Sequence, residues 1–126
     1  MECDIRRTAD GQFVAFHDAC ASRVCGRNWK ISATSWPHLK SLRVLGKEPI
    51  PHLDDILNLM ILRPAKEFYF ELALEKESDA ADLALQIKRA GVQGRAVLRR
   101  EHSQPSGFGQ GIFGPDQLRF PRILPF

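Results

Sequence analysis

Residues 52–98 read HLDDILNLMILRPAKEFYFELALEKESDAADLALQIKRAGVQGRAVL, and this stretch decides the fold. Leu53, Ile56, Leu57 and Met60 recur at the spacing of one helix face, so a helix is expected over 52–62. Pro64 should end it, because proline has no amide hydrogen for a helix interior. Phe68 to Leu74 is bulky almost throughout, as in a strand buried on both faces of a parallel sheet. Ser78 offers an N-cap for a helix over 79–90, with Leu83, Ala84 and Ile87 inward. Lys88 and Arg89 suit its last turn and Gly91 its C-cap. Ala96 to Leu98 opens another strand. Helix, strand, helix and strand in this order argue an α/β fold with a parallel sheet.

Toward the N-terminus, residues 2–8 read as a strand and Phe13 to His17 as a second extended piece. Between them Asp10-Gly11 supplies a turn residue that tolerates positive φ. A strand alternates faces, so Glu2 and Asp4 point the same way. Two hard oxygen ligands on one face, with His17 returning nearby, suit a divalent cation and acid-base chemistry on a phosphate. Residues 18–33 and 45–51 read as loop. Thr34 or Ser35 could cap a short helix containing Leu39 and Leu42, with Pro37 in its first turn.

The ordered motifs also carry a resemblance. Glu2-Cys3-Asp4, Arg6-Arg7-Thr8-Ala9-Asp10-Gly11 and His17-Asp18 come first. Arg23, Thr34 to Leu39, Ile50 to Leu57 and Phe68 to Leu72 follow. Over roughly residues 1–98 the chain resembles the glycerophosphodiester phosphodiesterase family. The resemblance implies a piece of a TIM-type (β/α)8 barrel: about three barrel strands, their helices and the family's insertion. At 126 residues the chain is too short for the whole barrel, which needs ~250. It is expected to be a fragment, starting at what would be the second strand and lacking the family's His-Arg-Gly triplet.

The resemblance further implies that Glu2, Asp4 and Glu71 are metal ligands for Ca2+ or Mg2+, near the C-terminal ends of neighbouring strands. Three carboxylates leave positions open for water and a phosphate oxygen, and suit those ions better than zinc. Glu71 is suggestive by itself, because a carboxylate inside Phe-Tyr-Phe-x-Leu would be buried and would need a partner. His17 is the candidate general acid/base, with Asp18 to orient it. His52 precedes a helix and reads as a capping or surface residue. Two departures weaken catalysis. The second catalytic histidine belongs to the absent triplet, and the family's Glu-x-Lys is here Glu71-Leu72-Ala73. Two functions follow: hydrolysis of glycerophosphodiesters to glycerol phosphate and an alcohol, at low rate, or a non-catalytic remnant that binds metal, phosphate or a partner.

Net charge is +3, too small for a nucleic-acid footprint, and basic residues are sparsely interleaved with aromatic ones. No apolar run approaches the ~20 residues of a membrane span, and no apolar leader follows Met1. Cys3, Cys20 and Cys25 have no zinc spacing and read as reduced thiols in a cytoplasmic protein. Residues 99–126 hold 4 of the 8 prolines and 4 of the 9 glycines, so an irregular tail is expected there, apart from a domain at 1–98. The expected partner is a small phosphodiester, and an incomplete sheet also offers open edges for self-association.

Overall fold

A computed structural model of the chain describes residues 2–73 and 76–99, together with the backbone at 100 and 117–119. The chain opens with β1 (Glu2–Arg7) and β2 (Phe13–Ala15), an antiparallel hairpin that pairs Ile5 with Ala15 and Arg7 with Phe13. Gly11, at φ +85°, makes the turn. An added Cβ there would lie 3.5 Å from the Arg7 guanidinium, in a backbone region that L-residues avoid.

Residues 16–51 form the insertion. It holds α1 (Ser22–Cys25), a 3-10 turn at Ile31–Ala33, α2 (Trp36–Leu39) and a small hairpin of β3 (Arg43–Val44) and β4 (Glu48–Pro49). The expectation of plain loop over 18–33 and 45–51 thus gives way to short elements. Elements this short lack intrinsic stability and are fixed by tertiary bonds, such as the Leu45 amide on the Val24 carbonyl at 2.7 Å. Ser35 does occupy the N-cap position of α2. The bond to the Trp36 amide, however, comes from Asp10 Oδ1 in the first turn, at 2.9 Å.

The segment 52–100 then supplies α3 (Leu53–Leu62), β5 (Phe68–Leu72), α4 (Glu77–Arg89), a 3-10 turn at Gln93–Arg95 and β6 (Ala96–Arg100). α3 buries Leu53, Ile56, Leu57 and Met60, the stripe read from the sequence. His52 caps it: its Nδ1 accepts from the Asp54 amide at 2.9 Å, and Asp55 reaches back to the His52 amide at 3.1 Å. α4 starts two residues earlier than expected, at Glu77. Lys76 is its N-cap, and Ser78 lies inside the helix, where Glu77 and Asp79 bring acids to its positive end.

The strand order is β2-β1-β5-β6-β7, where β7 is Gln117–Arg119. β1, β5 and β6 run parallel, while β2 and β7 flank them antiparallel. Three parallel strands with α3 and α4 between them make a partial barrel-type α/β sheet. The boundary expected at 98/99 falls within β6. The rest of the expected irregular tail, at 101–116 and 120–126, lies outside the described residues.

Strand alternation separates two faces. On one, Ile5, Phe68, Phe70, Leu72, Ala96 and Leu98 pack with the α3 stripe and with Ala80, Leu83 and Ile87 of α4. Fully burying one such side chain contributes about 1.5–3 kcal/mol. The other face carries Glu2, Asp4, Tyr69, Glu71 and Arg99. β5 is therefore buried on one face only, with Tyr69 and Glu71 half-buried. A second apolar cluster, Val14, Phe16, Ala21, Ile31, Leu39, Leu42 and Ile50, holds the insertion against β2. The outer edge of β2 is covered too, because the Ala15 amide donates to the Pro51 carbonyl at 2.9 Å and Val14 bridges to His52. Among the described residues no helix is long and apolar enough to cross a membrane.

Candidate active site

The polar face of the parallel sheet is ordered in rows. The β1–β5 register pairs Asp4 with Glu71 and Glu2 with Tyr69; the β5–β6 register sets Glu71 opposite Arg99. Asp4, Glu71 and Arg99 thus form one row, and Glu2 stands two residues before Asp4 on the same face. Glu2 is exposed, whereas Asp4 and Glu71 are half-buried. Among the described residues no group of three or more His, Cys, Asp or Glu is gathered to hold a metal ion.

Two side-chain atoms in this row, one on Glu71 and one on Arg99, are buried without a hydrogen bond. On Glu71 the atom is Oε2. A buried carboxylate oxygen left unmatched is costly unless a cation, a proton or water meets it. Asp4 and Glu71 together fit a hard, oxygen-seeking cation of the Ca2+ or Mg2+ kind, with Glu2 the next carboxylate along the strand. Arg99 adds a feature that sequence reading missed. Its guanidinium lies 4.6 Å from the centre of the Tyr69 ring, and its Nε is also buried without a partner. A fixed positive charge in the carboxylate row offsets part of the charge that would attract a cation.

His17 follows β2, where the chain turns back toward β1. The Phe16 amide donates to the Asp4 carbonyl at 2.9 Å, which brings His17 to the end of the carboxylate face. The Arg6 guanidinium grips the His17 carbonyl through Nε at 3.2 Å and Nη2 at 2.8 Å. On the imidazole, Nδ1 bonds Asp18 Oδ1 at 2.8 Å. Asp18 is itself clamped by Arg23, at 2.7 Å and 3.1 Å. The side chain of His17 is 73% exposed. With Nδ1 engaged, Nε2 is the nitrogen left to face a ligand.

The charges follow from this chain of contacts. The hydrogen bond to Asp18, aided by the Asp4 carboxylate, raises the His17 pKa above its ordinary value. Arg23 first, and then His17, hold Asp18 well below the usual carboxylate range. Asp18 stays ionised, and the imidazolium persists to higher pH than in a free histidine.

The other histidines are engaged elsewhere. His52 Nε2 bonds Gln12 Oε1 at 2.7 Å while Nδ1 accepts the Asp54 amide to cap α3, so both ring nitrogens are engaged. His38 Nδ1 bonds Ser35 Oγ at 2.9 Å. The three cysteines are free thiols, and burial followed by the Asp4 charge raises the pKa of Cys3.

The chain as a whole, rather than any single residue of this row, is matched among known proteins. The sequence pattern of the Glycerophosphoryl diester phosphodiesterase family covers residues 1–123. The chain belongs to this family. A glycerophosphodiester phosphodiesterase from Parabacteroides distasonis is similar in structure, with TM-score 0.65 and 27% identity over 79% of this chain and 42% of that one. One from Thermotoga maritima has 30% identity and TM-score 0.54 over 70% and 35%. A third, from Agrobacterium tumefaciens, has TM-score 0.67 at 22% identity over 79% and 44%, and supports the fold alone. No curated protein matches. The chain spans about two-fifths of the length of these solved structures, which places its three parallel strands within a TIM-barrel frame. The match to residue 123 also carries the family beyond the limit of 98 read from the sequence.

Within the glycerophosphodiester phosphodiesterase frame, the structure brings Asp4 and Glu71 together and sets His17 at their end. Glu2 lies beside Tyr69, one row away. Sequence reading missed the Arg23 clamp and Arg99. Arg23 was visible in the resemblance without a role; its contact with Asp18 depends on how the chain between Asp18 and α1 folds, which no periodicity marks.

Proposed function

We propose that the chain carries the carboxylate and acid-base part of a metal-dependent glycerophosphodiester phosphodiesterase. The reaction is hydrolysis of a glycerophosphodiester to glycerol phosphate and an alcohol. The observation that carries this reading is the Asp4–Glu71 pair, with its unmatched Glu71 oxygen, at the end of which His17 is held by Asp18. A Ca2+ or Mg2+ ion at Asp4, Glu71 and Glu2 would neutralise charge on the phosphate oxygens. His17 Nε2 holds or takes a proton at the ester oxygen. Its raised pKa favours the protonated ring that a leaving alkoxide needs. Asp18 and Arg23 keep the ring in one orientation through Nδ1. The phosphorus–oxygen bond to the alcohol breaks, that oxygen takes the His17 proton, the oxygen of water ends on phosphorus, and a proton lost by that water returns the imidazole to its charged form.

Turnover by this chain is slow in our reading. His38 and His52 are tied into local structure, so no second histidine among the described residues joins His17. Ala73 stands where the family motif has lysine and offers no charge to the transition state. These observations also support the second reading, a remnant that binds phosphate without efficient catalysis.

The test is release of glycerol phosphate from glycerophosphocholine by the purified chain, with EDTA and with added Ca2+. We expect slow, Ca2+-dependent release that Glu71→Gln and His17→Ala each abolish. Release unaffected by EDTA and by both substitutions would sink the proposal.

A further inference from the structure

One step beyond the carboxylate row lies a polar cavity of about 300 Å3. Arg6 and Ala73 line it, each two residues after Asp4 and Glu71. Strand alternation puts them on the same face, roughly 6.6 Å farther along. The strands are still joined there, since the Ala73 amide donates to the Ile5 carbonyl at 3.1 Å. The small Ala73 side chain leaves room, and the walls come from elsewhere: Lys30 and Ser32 from the insertion, Lys76 from the turn before α4.

The charge of these walls is one-sided. Asp79, the one acid among the lining residues, bonds the Arg7 guanidinium at 2.6 Å. Lys30 and Lys76 have no carboxylate partner among the described residues. Two lysines from elements far apart in sequence line one concavity. Scattered surface lysines have no reason to share a cavity beside the reacting face, and a shared cavity costs mutual repulsion that an anion relieves.

We propose that this cavity is a second anion subsite, which takes a phosphoryl group carried by the head-group side of the diester. The proposal rests on the phosphodiesterase reading above and deepens it, because it names the substrate class. The carboxylate row would face the scissile phosphate, and Lys30, Lys76 and the Ser32 hydroxyl would hold a second phosphate one strand step away. A cationic head group such as choline meets two ammonium groups there and is disfavoured; a phosphorylated head group is drawn in.

The subsite can be tested without activity or metal. The 15N-labelled full chain is titrated with inorganic phosphate in metal-free buffer at low salt, with chloride at matched ionic strength as control. We expect saturable shifts centred on the Lys30, Ser32 and Lys76 amides. In the Lys30→Gln/Lys76→Gln double variant the affinity should fall by about fivefold or more, as expected for losing two exposed charge contacts. Both lysines are exposed, so the variant should keep its circular dichroism spectrum. Shifts centred elsewhere, or affinity unchanged in the double variant, would overturn the subsite. A second arm compares Ca2+-supported hydrolysis of glycerophosphoinositol phosphate and glycerophosphocholine. Faster turnover of the phosphorylated substrate supports the proposal, and equal turnover counts against it. No turnover of either defeats the phosphodiesterase reading, while the phosphate titration still judges the subsite.

Discussion

His17 shows how much of one residue's chemistry is set by residues it does not adjoin. Asp18 is its neighbour, but Asp18 is held by Arg23, and the Asp4 charge arrives from another strand. The folded pKa of His17 is raised above 6.5, so any stability this contact gives is fully present below 6.5 and is lost as pH rises through the folded pKa. An NMR titration of the His17 ring should therefore show a midpoint above 6.5, and Asp18→Asn should move it down. A midpoint that Asp18→Asn leaves unchanged would show that the contact does not form in solution. Ala73 supports a second prediction at this scale. Ala73→Lys returns a cation beside Glu71, and we expect kcat/KM for glycerophosphocholine to rise by about 10- to 100-fold. A drop in rate would mean that the cavity, and not the missing charge, is what position 73 contributes. Glu2, Asp4, His17 and Glu71 were legible in the sequence because period-two alternation and local motif order are short-range properties. Arg99, Lys30 and Lys76 were not, because what they face depends on strand register and on the packing of the insertion.

The long elements were the legible ones. In α3 the apolar stripe, the stop near Pro64 and the capping role of His52 all follow from spacing and local chemistry. Its cap can be measured. His52→Ala removes the bond to the Asp54 amide and should cost about 1 kcal/mol in urea unfolding, with His52→Ser restoring most of it. Met60, fully buried beneath the sheet, should cost about 2–5 kcal/mol as Met60→Ala. A cost near zero for Met60→Ala would mean that α3 does not pack as described. α1, α2 and the β3–β4 hairpin escaped a full reading, because elements of two to four residues have too little periodicity to be seen. Their stability comes from Ile31, Leu39, Leu42 and Ile50 meeting Val14 and Phe16, partners that local sequence does not reveal.

For the molecule as a whole, a cation held by the Asp4–Glu71 pair would bind the folded chain and not the unfolded one. Ca2+ at about a hundred times its Kd should then raise stability by about 2.7 kcal/mol, seen as a higher melting temperature that EDTA reverses and Glu71→Gln abolishes. An equal Ca2+ response in Glu71→Gln would place the ion elsewhere. The covered edge of β2 also bears on self-association: of the two flanks of the sheet, the β2 side is already paired with residues 51 and 52. By itself the sequence determined the α/β order, the amphipathic helix stripe and the face on which Glu2 and Asp4 stand. Those follow from backbone geometry acting over a few residues. Only the tertiary structure decided that Asp4 meets Glu71 in register, that Arg99 completes their row, and that β5 is buried on one face. It alone decided, too, that Lys30 and Lys76 share a cavity. Each of these joins residues tens of positions apart, and such contacts are fixed by strand register and core packing, which no local pattern encodes.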